Sequence, residues 1–409
     1  MLYRRSSQLP SFFWEAFIKT CGWSSSVIVI IIVLFLFKEG SALFGQKPLE
    51  KGLIAAVHIQ NPISRLSQRQ LEQLVQGKIS NWKEIGGRDE KVEVLSLNNL
   101  EKKLKEWKLV SSAPEELLGG ELEKLSSFLD SLLSQKPGLL IILQQKYIPQ
   151  SAKPIELEDI TLWHFLAGTE WEPAESPVPS FGVLPLLWGS LLVTIGATFF
   201  ALLLGPPVAI YLAEIAPVKV KSIIKTMIEL LAGIPSVVFG FIGLVVLVPS
   251  IQQWFNLDSG STALAGSFLL AIIALPTIIS VTEDAISDTP RALKEASLAL
   301  GATHWQTIYR VVIPYSATGI IAAVLLGVGR IVGETMAVLM VTGNNPQLVG
   351  LDFLSSVRTM SAAIAAEMGE APQGGLHYKS LFAVGCILFM LTFFINFLGE
   401  LLKYFKKLQ

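Results

Sequence analysis

The sequence predicts an all-α polytopic membrane protein of six transmembrane helices, interrupted by a small inserted α/β extracytoplasmic domain. Three observations lead there. The 409 residues are 51% hydrophobic and only 16% charged, with a mean hydropathy of +0.54, too apolar for a water-soluble chain of this length. Six apolar stretches are each long enough to cross a bilayer, which takes about 20 residues. Half of the lysines and arginines, 16 of 32, fall in one segment from Lys47 to Ile160, so the rest of the chain is more apolar still.

The predicted spans are Trp23–Phe44, Leu184–Leu212, Ile223–Val248, Thr262–Thr282, Tyr315–Val341 and Leu381–Leu402. A cleaved signal peptide is the competing reading of the first. Its apolar run is long, it has no small-x-small cleavage site, and five spans follow, so it is read as a span. Short loops set the orientation. Arg4, Arg5 and Lys19 precede the first span, and Lys219, Lys221 and Lys225 flank the turn between the second and third. Arg291, Lys294 and Arg310 lie between the fourth and fifth, and Lys403, Lys406 and Lys407 close the chain. The loop around Asn256–Gly260 has no basic residue, and only Arg358 and Lys379 lie between the fifth and sixth spans. Basic residues stay in the cytoplasm, so both termini are expected there and residues 47–160 outside. The expected division is 1–46 for the N-terminal segment and first span, 47–160 for the insert, and 161–409 for the remaining five spans.

Within the insert, "AAVHIQNPI" (Ala55–Ile63), "KVEVLSL" (Lys91–Leu97) and "PGLLIILQQKYIP" (Pro137–Pro149) read as strands. A helix is predicted to start near Ser67, with further helices over Asn99–Lys108 and Glu115–Leu133. Sixteen basic and sixteen acidic residues balance, and the apolar content suffices for a modest core.

Two charges are placed where lipid should be. In "GRIVGETMAV" (Gly329–Val338) Arg330 is the only basic residue inside any predicted helix core, and Glu334 follows one turn later on the same face. Intramembrane charges are rare and mark substrate or ion paths. Arginine stays protonated and offers a planar fork to two oxygens of an oxyanion. Glu334 is expected to neutralise Arg330 until an anion arrives. A structural ion pair within the helix, or an arginine that faces a partner subunit, is the competing reading. Pro235 in "GIPSVVFGF" (Gly233–Phe241) interrupts a span, leaving Ser236 and backbone groups to line a cavity or simply to kink the helix.

The loop after the fourth span, 283–314, reads as two short amphipathic helices joined at Gly301, where a left-handed turn suits glycine. Leu293, Ala296 and Leu300 mark one side of the first helix, and Trp305, Ile308 and Val312 one side of the second. Pro314 suits the first turn of the fifth span. This loop resembles the coupling loop of ABC importer permeases. The family pattern of Glu-Ala-Ala, three residues, Gly, nine residues and Ile-x-Leu-Pro is matched by Glu295-Ala296-Ser297, Gly301 and Val311-Val312-Ile313-Pro314. Ser297 replaces the second alanine, and Val and Ile replace Ile and Leu. The resemblance implies a type I ABC importer permease fold and a loop that docks on a cytoplasmic ATPase.

"FLAGTEWEP" (Phe165–Pro173), "YLAEIAP" (Tyr211–Pro217), "GIPSVVFGF" and "GRIVGETMAVLMVTGN" (Gly329–Asn344) resemble the phosphate-specific transport permeases of PstC type. Over residues 1–46 and 161–409 the likeness implies phosphate as substrate, a bacterial inner-membrane location and several partners. These are a second permease (PstA-type), two ATPase subunits (PstB-type) and an extracytoplasmic binding protein (PstS-type). It places Arg330, Glu334 and Ser236 on the pathway and Glu295, Ala296, Gly301 and Pro314 at the ATPase. Another oxyanion, sulfate or molybdate, or a role in signalling phosphate status remain as alternatives.

The insert is longer than this family's usual first external loop. Its stretch Asn61–Gly87, with "GKISNWKEIGG", resembles one lobe of PstS-type proteins. In those proteins a Gly-Ser-Gly-Thr turn follows the next strand and holds the anion. Here "NNLEKKLKEW" (Asn98–Trp107) follows, so the insert is read as a lobe kept for docking or shape. No enzyme constellation is visible: His58, His164, His304 and His377 are scattered, and no Walker loop exists. ATP and Mg²⁺ are thus expected in a partner ATPase, with no cofactor or metal in this chain. The net charge of −1 gives no field for nucleic acid, and Cys21 and Cys386 offer neither a disulfide framework nor a metal site.

Overall fold

The computed structural model describes residues 8–96, 99–107, 125–174 and 177–407. Among the described residues six helices are long and apolar enough to cross a membrane. The first, α1 (Gln8–Ser41), shows most of its side chains from Trp14 onward to the surroundings, as a lipid-facing helix does.

The insert follows. Strand β1 (Leu53–His58) leads to α2 (Gln68–Val75), which starts at a capping box: Ser67 accepts from the Gln70 N–H and Gln70 accepts from the Ser67 N–H. Then come β2 (Glu93–Ser96), α3 (Leu100–Glu106), α4 (Leu125–Gln135), β3 (Leu139–Gln144) and β4 (Ala152–Pro154). The early part of the helix expected over Glu115–Leu133 lies outside the described residues. The sheet runs β2-β3-β1-β4. β3 is antiparallel to β1, with Ala55 opposite Ile142, and parallel to β2, with Val94 opposite Leu140. Successive side chains point to opposite faces. Leu140 and Ile142 therefore pack with Leu71, Leu74 and Trp82 on one side, and Leu139, Ile141 and Leu143 with Leu125, Leu129 and Leu132 on the other.

Helix α5 (Leu162–Ala167) lies where insert and bundle meet. Phe165 packs with Phe44, Trp171, Phe181 and Leu186. Glu170 receives Lys78 and Gln76 of the insert, and His164 lies 3.3 Å from Glu72.

The bundle continues with α6 (Leu184–Ile215), α7 (Val218–Gly233), α8 (Ser236–Phe255) and α9 (Ala263–Ser287). After α10 (Arg291–Ala299) come α11 (His304–Gly333), α12 (Met336–Val341), α13 (Met360–Glu367) and α14 (Leu376–Lys407). Small residues bring the helices together. Gly196 of α6 faces Ser267, and Gly327 and Gly319 of α11 face Ile278 and Ala285 of α9.

The first and sixth spans start earlier than expected, at Trp14 and Leu376, and two others differ in kind. The third was expected over Ile223–Val248 but is α8, Ser236–Phe255. Ile234 and Pro235 are extended, so Pro235 begins the span rather than interrupting it, and α7 is a separate helix. The fifth was expected over Tyr315–Val341. It starts earlier, at His304, and ends at Gly333, because Glu334 is extended with ψ 130°.

Candidate functional site

Arg330 stands in the last turn of α11. Helices α11 and α9 run antiparallel, since Gly319 meets Ala285 while Gly327 meets Ile278. Arg330 continues this register, and its Nη1 donates to Thr277 Oγ1 at 3.0 Å. Thr277 is near the middle of α9, so the guanidinium sits about halfway through the bundle. Arg330 is exposed on the surface of this chain, and among the described residues no carboxylate pairs with it.

The expected Arg330–Glu334 pair does not form. Helix α11 ends at Gly333, and the extended Glu334 leaves the face on which residues four apart meet. Its carboxylate accepts from the Thr335 N–H at 3.3 Å, and its carbonyl accepts from Ser361 Oγ at 2.9 Å. Ser361 lies in the first turn of α13, which thus fastens the break from outside α11.

The two helix breaks belong to one packed unit. Gly240, one turn into α8, leaves room for α12: a Cβ there would lie 3.1 Å from Ala337 Cα and 3.3 Å from Met336 O. Neither start has a side-chain cap, at Pro235 or at Thr335. Uncapped helix starts present N–H groups and the positive end of the helix dipole. Ser236 is the first residue of α8, half-buried. It makes no side-chain hydrogen bond to Arg330 or Glu334 among the described residues.

On the far side, the turn expected at Gly301 forms with φ +85°. Helix α10 buries none of its residues, and Glu295, Ala296, Gly301 and Pro314 are all exposed. The second short helix is not separate. His304–Thr307 runs through a π-helical turn into α11, so the bundle fixes its inner side. Ile308 and Val312 are buried there, whereas Trp305 is 61% exposed and Leu300 is 89% exposed. The expected apolar side Trp305–Ile308–Val312 is therefore split, and Leu300 and Trp305 form part of an outward apolar corner.

Several polar residues escaped the sequence reading because their partners are far away in the chain. Glu283 of α9, almost fully buried, receives Lys221 at 2.6 Å and Lys225 at 3.0 Å. Glu214 receives Lys294 of α10 at 2.5 Å. Glu367 takes Arg358 at 2.6 Å, Trp171 Nε1 at 3.1 Å and His377 Nε2 at 3.0 Å. Only isolated charges in apolar runs signalled them.

The family described as "Binding-protein-dependent transport system inner membrane component" matches residues 205–404. The Probable ABC transporter permease protein YqgH of Bacillus subtilis is 41% identical over 249 residues, which are 61% of this chain and 77% of that protein. This chain belongs to that permease family. It is also 38% identical over 250 residues to the Phosphate transport system permease protein PstC of Mesorhizobium japonicum, covering 56% of this chain and 75% of that one. A PstC protein of Pasteurella multocida is 35% identical over 260 residues, 59% of this chain and 78% of its own. The permease is therefore of PstC type and a multi-pass inner-membrane protein. Its insert, residues 47–160, lies outside the 205–404 match.

Proposed function

We propose that this permease moves inorganic phosphate across the membrane as one half of an ATP-driven importer. The observation that carries the reading is Arg330, a guanidinium at mid-depth with a hydroxyl partner and no carboxylate among the described residues. A hydrated anion entering a low-dielectric passage loses water and needs cationic replacement. Arg330 supplies a two-pronged donor already oriented by Thr277. Relatives named for phosphate transport support the choice of anion.

The lysine-rich side, with Lys221, Lys225 and Lys294, faces the cytoplasm, and so do both termini. The insert is extracytoplasmic. The outward corner at Leu300 and Trp305 docks on a PstB-type ATPase, which holds ATP and Mg²⁺. Glu295, Ala296, Gly301 and Pro314 shape that corner. The exposed face of Arg330 meets a PstA-type second permease, and a PstS-type binding protein delivers the anion. Glu334, through its backbone, and Ser236 shape the two breaks.

The test is Arg330→Gln in the complete transporter, reconstituted in lipid vesicles with its ATPase and binding protein. Losing charge-assisted hydrogen bonds should reduce phosphate uptake by about 30-fold or more, with the ATPase co-purifying normally. Uptake at the wild-type rate removes Arg330 from the path. Wild-type preference for sulfate or molybdate over phosphate overturns the choice of substrate.

A further inference from the structure

Two cytoplasmic helices are held to the bundle in an unusual way. Helix α10 buries no residue of its own, and neither does α7 over sixteen residues. Apolar contact with α7 comes only from half-buried side chains: Ile224 and Ile228 rest near Ala209, Leu212 and Ile279, and Leu231 packs against the main core of the bundle. For α10 one hydrogen bond, between Ser297 Oγ and Thr307 Oγ1 at 3.0 Å, adds to this thin packing.

Charges fasten them as well. Lys294 of α10 reaches Glu214 at 2.5 Å, and the Glu214 side chain is 8% exposed. Glu214 lies in the last turn of α6, three residues before Pro217, which caps α7. One turn into α7, Lys221 and then Lys225 both reach Glu283 near the inner end of α9. A carboxylate withdrawn from water stays tied to its cations, because the alternative is an unpaired buried charge. Such links transmit a displacement rather than stretch.

The path does not stop there. Helix α7 ends at Gly233, the chain turns at Ile234 and Pro235, and α8 begins. Gly240 of α8 rests on Met336 and Ala337, the first residues of α12 beyond Glu334. The outward corner of α10 is thus joined to the Arg330 region through Glu214, α7 and α8.

We propose that Glu214–Lys294 and Glu283 with Lys221 and Lys225 are the two links that deliver motion of the coupling helix to the breaks at Pro235 and Glu334, with α7 as the lever between them. These are positioning residues. The proposal rests on the reading of the chain as an ATP-driven permease. It assigns no contact with the anion to any of them.

The experiment uses the complete transporter in lipid vesicles and reads phosphate uptake and ATP hydrolysis separately. In Glu214→Gln, and in the double variant Lys221→Gln/Lys225→Gln, the ATPase should co-purify and hydrolysis continue. The phosphate moved per ATP should fall about tenfold, within the usual range of coupling between sites. Either lysine variant alone should fall less, since one lysine still holds Glu283. The exchange Glu214→Lys/Lys294→Glu should restore most of the ratio, which a role in folding alone would not predict. An unchanged ratio in both link variants overturns the proposal. So does loss of the ATPase from the complex, which would make the links part of the docking surface only. A wild-type transporter that hydrolyses ATP and moves no phosphate overturns the underlying reading, and the proposal with it.

Discussion

In the insert, β3 buries five consecutive side chains, Leu139 to Leu143, between two helical layers. In the bundle, α9 buries Leu269, Leu270, Ile273 and Ile278 together with many small residues, and its neighbours approach through glycines, Gly196 of α6 at Ser267 and Gly327 of α11 at Ile278. The first region excludes water with large aliphatic groups, which is what drives folding there. The second has lipid as the alternative neighbour, so burying its large apolar groups brings less, and close approach of small residues adds to it. Charges differ in the same sense. Glu283 and Glu367 of the bundle are almost enclosed and multiply partnered. The insert's pairs, such as Arg65 with Glu156 and Lys83 with Asp89, are largely solvated. Arg330 has no carboxylate partner among the described residues, and it stands in the turn before α11 ends.

The largest expected effect tests whether the two regions are stable independently. Trp82 is fully buried in the insert, and its Nε1 donates to Gly138 O at 2.8 Å. Trp82→Ala should cost about 3–5 kcal/mol, the usual range for emptying such a site. Limited proteolysis of the membrane-embedded protein should then cut residues 47–160 while leaving a stable fragment containing α6 to α14. Simultaneous loss of the bundle would show that the insert is part of one cooperative unit.

The same contrast explains what could be read from the sequence. The insert was legible because caps and alternation are local. Ser67 and Gln70 announce the start of α2, and the run Leu139–Leu143 announces a strand buried on both faces. The bundle gave its number of spans but not its breaks. Hydropathy alone cannot separate α7 from α8, because Ile223, Met227 and Leu230 are as apolar as a span, and the turn at Pro235 lies within one long apolar run. For the same reason hydropathy predicts a helix that continues through Glu334. Arg330 was legible because a cation in such a run is rare. Its partner Thr277, and the ties from Glu214 to Lys294 and from Glu283 to Lys221 and Lys225, depend on distant residues and left no pattern.

A smaller effect concerns the seam between the regions. Burial works against ionisation of Glu170, yet hydrogen bonds from Lys78 and Gln76 and the Lys78 charge together hold its carboxyl below the ordinary glutamate range. A carboxyl lowered in the docked state favours docking above its undocked pKa, and that contribution disappears as pH falls through the docked value. Docking should therefore weaken in acid, below the glutamate range, and not at neutral pH. The pair is partly solvated, so the effect is about 1 kcal/mol or less. Hydrogen exchange around Gln76–Lys78 should rise in that acid window, and Glu170→Gln should show the raised exchange at neutral pH with no further step from this group. An unchanged acid step in Glu170→Gln would assign it to another carboxyl.

The smallest expected effect is none at all. The isolated segment Lys47–Ile160 should fold, because its sheet carries a core on each face, and should give no heat on titration with phosphate. An anion taken from water needs several convergent donors, each of them uncommitted. Lys47, Arg65, Lys78, Lys83 and Lys136 each have a carboxylate beside them. Where PstS-type proteins follow a strand with an anion-holding turn, this chain has Asn99, whose side chain accepts from the Ser96 N–H and donates to Val94 O. That side chain is occupied with its own backbone, and α3 begins at once. Among the described residues, removing the bundle frees Lys78 and Gln76, both of which Glu170 holds from outside the segment, and two donors on an open surface do not make a convergent site. Phosphate binding at micromolar concentration would place a working receptor in the insert. The open cation of the bundle would then have a counterpart outside the membrane, and the contrast between the two regions would fail at its most functional point.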